Sequence, residues 1–153
     1  MINKTTAQQI VDTVKDVCGH DINFINEKGL ILASTNPSRI GTFHEGGQKV
    51  ISAGTTLEVF ESDTLLGTQK GVNIPVYHKG SLAAVIGISG DPQAVRIYAH
   101  LAERITLLLI REQELNAASR TLAEKKNHLL QFLLSNDREL TARLSEELKA
   151  FHI

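Results

Sequence analysis

The sequence predicts an α+β domain with helices at both ends and an antiparallel sheet between them. Three observations carry that expectation: an amphipathic helical repeat near the N-terminus, short apolar runs separated by Gly- and Pro-containing turns, and a leucine heptad repeat towards the C-terminus. The chain has 153 residues, 42% of them hydrophobic and 22% charged, a balance that suits one principal core with appendages. A formal net charge of -1 argues against a phosphate-binding surface, so direct contact with nucleic acid is not expected of this piece. Cys18 is the only cysteine, which excludes a disulfide framework and a thiolate metal cluster and fits a reducing compartment. The start, Met1-Ile2-Asn3-Lys4, lacks the apolar run of a signal peptide, and no stretch approaches membrane-spanning length, so a cytoplasmic location is expected.

Thr5-Thr6-Ala7-Gln8 has the capping-box pattern, with Thr5 as N-cap. Ala7, Ile10, Val11, Val14, Val17 and Cys18 follow at helical spacing, and Gly19 supplies a stop. Ile22-Asn23-Phe24-Ile25 and Leu30-Ile31-Leu32-Ala33-Ser34, joined by a turn ending in Gly29, read as an antiparallel hairpin. Asn36-Pro37-Ser38 is a turn, because Pro fixes its own backbone and pushes Asn36 away from helix. Val50, Ile51 and Ala53 mark the buried side of a short helix ending at Gly54, and a brief strand is expected between Thr55 and Phe60. A polar loop from Glu61 to Lys70 precedes a strand from Gly71 to His78. Pro75 within it belongs at an edge, a bulge or a place without a ladder bond. The apolar run from Ser81 to Gly90 suits the sheet centre, and Gly71 and Gly87 mark close approaches by a ligand or a packed helix.

Asp91 and Pro92 are the N-cap and first residue of a long helix. Leu101, Leu108, Leu115, Leu122 and Leu129 recur at one heptad position, while Ile105, Glu112, Ser119, Lys126 and Leu133 alternate between apolar ends and a polar middle. At about 1.5 Å per residue this helix extends roughly 60 Å, longer than one small sheet can cover, so a parallel dimer seam is expected. After Ser135-Asn136-Asp137, residues Leu140, Leu144, Leu148 and Phe151 begin another apolar face, which suggests that a further region follows.

The stretch from Ser38 to Gln48 gathers the chemistry. Arg39 offers a planar fork of donors matched to a carboxylate, and His44 offers a titratable donor beside it. A helix opening at Glu45 would add the free N–H groups of its first turn, next to backbone left accessible by Gly46 and Gly47. These point to a small-anion site; the competing interpretation is an Arg paired with a surface acid and a His capping a turn. Asn73, a polar amide among apolar neighbours, serves either the backbone or ligand oxygens. No nucleophile elbow, phosphate loop, dinucleotide fingerprint or His-Glu-x-x-His pair is present, and the histidines lack metal-ligand spacing. Acid–base work by His44 with Glu45 is the residual enzymatic possibility.

Three ordered motifs then carry a resemblance. Arg39-Ile40-Gly41-Thr42-Phe43-His44-Glu45-Gly46, Gly71-Val72-Asn73-Ile74-Pro75-Val76 and Ala84-Val85-Ile86-Gly87-Ile88-Ser89-Gly90-Asp91-Pro92 resemble the sugar-diacid recognition domain of bacterial carbohydrate diacid transcriptional regulators. The resemblance implies a PAS-like five-stranded antiparallel sheet flanked by the N-terminal helix and the long C-terminal helix. It implies a sensor domain over residues 1–135, and a following region that begins within 136–153. The implied ligand is a small hydroxy-acid or sugar diacid such as glycerate, glucarate or galactarate, with no cofactor, metal, catalysis or membrane contact. Nucleic acid would be met by a C-terminal helix-turn-helix outside this chain. Carried onto this sequence, the ligand residues are Arg39, Gly41, His44, Glu45, Gly46, Asn73, Pro75, Ser89 and Gly90. Arg39 would bind a carboxylate, His44 would donate to an oxygen and gain proton affinity from the anion, and Glu45 would bind hydroxyls or orient its neighbours. A ligand-free structural dimerisation module is the principal alternative, and a small acid–base enzyme the lesser one.

Overall fold

The computed structural model describes residues 2–62 and 64–136, together with Glu146 and Lys149. In chain order the elements are α1 (Lys4–Cys18), β1 (Ile22–Ile25), β2 (Ile31–Ser34), a 3-10 turn (Pro37–Arg39), α2 (Glu45–Ala53), β3 (Leu57–Val59), β4 (Gly71–His78), β5 (Ser81–Ser89) and α3 (Pro92–Asn136). The strands form one antiparallel sheet in the order β2-β1-β5-β4-β3, so the PAS-like five-stranded sheet and the terminal helices are observed as expected. By internal contacts the chain divides into two units, Met1–Ile110 and Arg111–Ile153, and α3 contributes to both. The expected apolar face from Leu140 to Phe151 lies outside the described residues.

Helix α1 begins two residues earlier than its capping-box pattern suggests. Asn3, not Thr5, is the N-cap, and its Oδ1 accepts from Thr6 N at 2.8 Å. Gln8 is thereby released to another task. Its side-chain amide donates to Ser34 O at 2.8 Å and accepts from Ser34 N at 3.3 Å, pairing with the outer edge of β2 as a neighbouring strand would. Ala7, Ile10, Val11 and Val14 are buried on the sheet as the repeat predicts, but Val17 is exposed.

The sheet separates two cores. On one face α1 and the start of α3 (Val95, Ala99, Ala102) meet Ile22, Phe24, Ile74, Ile86 and Ile88. On the other, Val50 of α2 meets Ile25, Ile31 and Val85. The buried side of α2 is Gly46, Gly47 and Val50; Ile51 is half-buried and Ala53 exposed, contrary to the periodicity. The reason is proximity: a Cβ on Gly47 would come within 2.9 Å of Ile25, so only glycine lets the helix lie this close.

Strand β5 takes the sheet centre. Strand β3 pairs only with Gly71–Asn73, which leaves Pro75 where β4 has no partner on that side, and the β4–β5 register breaks just beyond, between Val76 and Tyr77. The close approach at Gly71 is made by neither ligand nor helix: a Cβ there would collide with the Ile88 carbonyl oxygen of β5. Gly71→Ala is therefore expected to lower unfolding free energy by about 1–3 kcal/mol in urea titration, the usual range for overpacking.

Candidate ligand-binding site

The site lies on the α2 face of the sheet. One row of residues crosses four strands there: Ser34 pairs with Asn23, Asn23 with Gly87, and Gly87 with Asn73. Side chains opposite one another in an antiparallel sheet point to the same face, so two amides flank a glycine at the sheet centre. Gly87 leaves a gap between them. A Cβ there would stand 2.7 Å from Asn73 Oδ1 and 3.8 Å from His44 Nε2.

His44 reaches this gap because it caps α2. Its Nδ1 accepts from Gly47 N at 2.8 Å. An accepting Nδ1 requires the proton of the neutral ring to sit on Nε2, which makes Nε2 a donor aimed over Gly87. The side chain is only 2% exposed, and burial, reinforced by the charge of Arg39, pushes its pKa down to about 4. Asn73 is 3% exposed. Among the described residues neither the Asn73 amide nor His44 Nε2 has a hydrogen-bond partner, whereas Asn23 Oδ1 accepts from Ser34 Oγ at 2.6 Å.

A strap of three residues, Leu66-Gly67-Thr68, closes the N-terminal end of α2. Glu45 N donates to Leu66 O at 2.9 Å, and Glu45 Oε2 accepts from Leu66 N at 2.9 Å. Thr68 Oγ1 accepts from Gly46 N at 2.8 Å, and the Arg39 guanidinium donates to Gly67 O. The N–H groups of Glu45, Gly46 and Gly47 are thus all engaged within the chain. The expectation that they stand free for an anion is corrected: strap and His44 satisfy them first. Burial lowers the pKa of Arg39, and the Asp21 carboxylate partly restores it.

Arg39, His44, Glu45, Gly46 and Asn73 therefore come together. Ser89 joins at the margin, its Oγ donating to Gln69 Oε1 at 2.8 Å. Gly41 lies apart, with a left-handed backbone (φ 84°) and its N–H donating to Ile31 O at 2.8 Å beside β2. Pro75 shares the sheet face but stands two residues beyond Asn73, opposite Val85. Gly90 belongs to the joint between β5 and α3, where a Cβ would meet Val95 and His20. Asn23 and Thr68 are the members that residue patterns did not single out, whereas Gly87 was read as a close approach by a ligand or a packed helix. Asn23 gave the same signal as Asn73, an amide inside an apolar strand; Thr68, in a polar loop, gave none. Two surface concavities are lined by neither Asn73 nor His44: one of about 460 Å³ beside α1, and one of about 490 Å³ along α2 that shares Glu45 with the site. Among the described residues no three of His, Cys, Asp and Glu gather to hold a metal ion.

The sheet order and its flanking helices define a PAS- or GAF-type domain. The GAF domain of the nutrient sensor CodY from Clostridium difficile has the same fold, with a TM-score of 0.51 at 16% identity, covering 67% of this chain and 83% of that one. Residues 2–133 match the family described as "Putative sugar diacid recognition", and the chain belongs to that family. An uncharacterized Bacillus subtilis protein, YsfB, is 32% identical over 108 residues, 69% of this chain and 29% of its own length. The carbohydrate diacid regulator of Escherichia coli is 30% identical over 111 residues, 71% of this chain and 29% of its own length. The chain spans less than a third of the length of these relatives.

The depressed pKa of His44 sets a sign for stability against pH. The unfolded ring binds a proton near pH 6.5 and the folded one only near 4, so the stability tied to the neutral ring is complete above about pH 7. It is lost as pH falls through that window, on the order of 3 kcal/mol in all. His44→Asn keeps a capping acceptor and has no titration, so urea unfolding between pH 7 and pH 4 should show a shallower decline than the parent.

Proposed function

We propose that this domain senses a small hydroxy-carboxylate of the glycerate, glucarate or galactarate type and signals through a dimeric α3 to a DNA-binding region outside this chain. One observation carries the reading. His44 Nε2 and the Asn73 amide, on residues that are otherwise almost wholly buried, converge over Gly87 with no partner in the chain, and since no side-chain nitrogen or oxygen is both buried and unsatisfied among the described residues, they stay open to a ligand's oxygens. Arg39 stands beside them with its guanidinium on a carbonyl, a partner that a carboxylate outcompetes because the bond becomes charge-assisted. Membership of a sugar-diacid recognition family supports the ligand class.

In this reading a ligand carboxylate takes Arg39 from Gly67 O and shifts the Leu66–Thr68 strap. The ligand moves the equilibrium only by its difference in affinity between the two arrangements. Residues 1–135 would form the sensor, and Leu101, Leu108, Leu115, Leu122 and Leu129, all exposed along α3, would form the seam between two copies. No helix among the described residues is long and apolar enough to cross a membrane. A cytoplasmic regulator fits that. An enzyme built on His44 and Glu45 fits the geometry poorly, since His44 Nδ1 is committed to Gly47 and the Glu45 carboxylate to Leu66 N.

Thermal melting against glycerate, glucarate, galactarate, tartrate, malate and citrate should give a selective rise in Tm. No rise with any acid, in protein freed of carried-over ligand, would leave a dimerisation module as the better account. Arg39→Ala should fold and lose about 10- to 100-fold in calorimetric affinity, the equivalent of one charge-assisted bond. Leu115→Glu should shift sedimentation from dimer to monomer; a dimer that persists unchanged would remove α3 as the seam.

A further inference from the structure

The gap over Gly87 is walled by groups whose hydrogen-bonding sense is already set. The point that a Cβ on Gly87 would occupy lies 2.7 Å from Asn73 Oδ1 and 3.8 Å from His44 Nε2. The other end of the Asn73 amide faces Gly46, where a Cβ would stand 3.2 Å from Asn73 Nδ2 and 3.1 Å from Thr68 Oγ1. Thr68 Oγ1 donates its proton to Leu66 O at 3.2 Å. An amide oxygen on that side would face a hydroxyl oxygen with no proton to give, so the nitrogen belongs there and the oxygen over Gly87. Asn73 Oδ1 is thus an acceptor, and His44 Nε2–H, fixed by the bond from Gly47 N to Nδ1, is a donor. Asn23, on the opposite flank of Gly87, is fixed in a similar way. Its Oδ1 accepts from Ser34 Oγ at 2.6 Å, and Ser34 Oγ accepts from Asn36 N at 3.0 Å, so only the N–H groups of the Asn23 amide remain to serve a ligand.

We infer that the group seated over Gly87 is a ligand hydroxyl, donating to Asn73 Oδ1 and accepting from His44 Nε2 and Asn23 Nδ2, and that the site selects it against an oxo group or a methylene on the same carbon. This rests on the ligand-sensing reading above and names the group that the site reads. A hydroxyl has one proton and two lone pairs, the complement of one acceptor and two donors. A carbonyl oxygen accepts from both donors but meets Asn73 Oδ1 as a second oxygen without a proton. A methylene leaves all three protein groups unmet. Charge takes no part in this choice. Asp21, bonded to Lys15 at 2.6 Å and Thr35 at 3.0 Å, acts on Arg39, and the Glu45 carboxylate is held by Leu66 N. Hydroxyl, oxo group and methylene are all uncharged, so the selection applies to monoacids and diacids alike. Ser34 enters as a positioning residue, since it acts through the Asn23 amide.

Calorimetry of the chain at pH 7.5 tests this with acids that differ at one carbon, run beside glucarate and galactarate. One set is glycerate, hydroxypyruvate and 3-hydroxypropionate; the second is malate, oxaloacetate and succinate; the third is 2-hydroxyadipate, 2-oxoadipate and adipate. In every set whose hydroxy acid binds, that acid should be at least about tenfold tighter than its oxo and methylene partners. An oxo or methylene acid that equals its hydroxy partner would overturn the proposal and leave the ligand-sensing reading standing. So would binding of glucarate or galactarate when the hydroxy acid of every set fails. No binding by any of these acids would instead sink the ligand-sensing reading. Asn73→Leu removes the acceptor at similar volume. With the fold retained by circular dichroism, it should cost the hydroxy acid about tenfold and its oxo partner nothing, which brings their ratio towards one. An unchanged ratio would remove Asn73 as the reader of the hydroxyl. Ser34→Ala frees the Asn23 amide to turn and should weaken the hydroxy acid severalfold, whereas unchanged affinity would take Asn23 and Ser34 out of the scheme.

Discussion

The hydrogen bond from Gly47 N to His44 Nδ1 holds the geometry of the α2 side together. It satisfies an N–H at the head of α2 that has no partner within the helix. It also chooses the ring tautomer, because an accepting Nδ1 sends the proton to Nε2. Those two consequences are joined: the residue that starts the helix is the one that presents a donor over the sheet. Gly46 and Gly47 then let the first turn press against Ile25 and Thr68, closer than any side chain would allow. Burial of the ring follows from that closeness, and its low pKa follows from the burial.

The site is closed by a strap whose bonds are individually ordinary. Leu66, Gly67 and Thr68 serve Glu45, Arg39 and Gly46 through a carbonyl, an amide and a hydroxyl. The groups that meet in these bonds are all polar. His44 Nε2 and the Asn73 amide, over Gly87, differ. They have no partner in the chain, and since no buried side-chain nitrogen or oxygen is left unsatisfied among the described residues, they remain open to solvent.

Strand β3 connects this face of the sheet with the other. Leu57 neighbours Asn73, while the next residue, Glu58, points to the opposite face and accepts from Arg96 of α3 at 2.6 and 3.0 Å. The Arg96 fork meets the carboxylate with two parallel bonds, which fixes direction as well as distance. A short edge strand that pairs beside Asn73 on the α2 face and binds Arg96 on the other links that face to α3. Along α3 the buried residues Val95, Ala99, Ala102 and Thr106 lie on the domain, and the leucine row turns outward. The buried stripe and the leucine row thus occupy different positions of the helical repeat.

Much of this was legible in the chain. Alternation and turn residues placed the strands of the sheet within a residue or two, and Pro75 announced the point where β3 runs out. Asp91-Pro92 marked the start of α3, and Arg39, His44 and Asn73 stood out by their chemistry. These are local properties, set by dihedral preference and by side-chain type. The register of strands distant in sequence is not local. Only the folded sheet placed Asn23, Gly87 and Asn73 in one row, and only that row gives Gly87 its meaning as a gap between amides. The same holds for the head of α2. Its N–H groups looked free from the sequence, because their partners, Leu66 and Thr68, come from a polar loop without a motif. Asn3 won the N-cap of α1 from Thr5 for a related reason: starting the helix there leaves Gln8 free to close the edge of β2. Local patterns name the groups that need a partner, and tertiary contacts decide which partner each one finds.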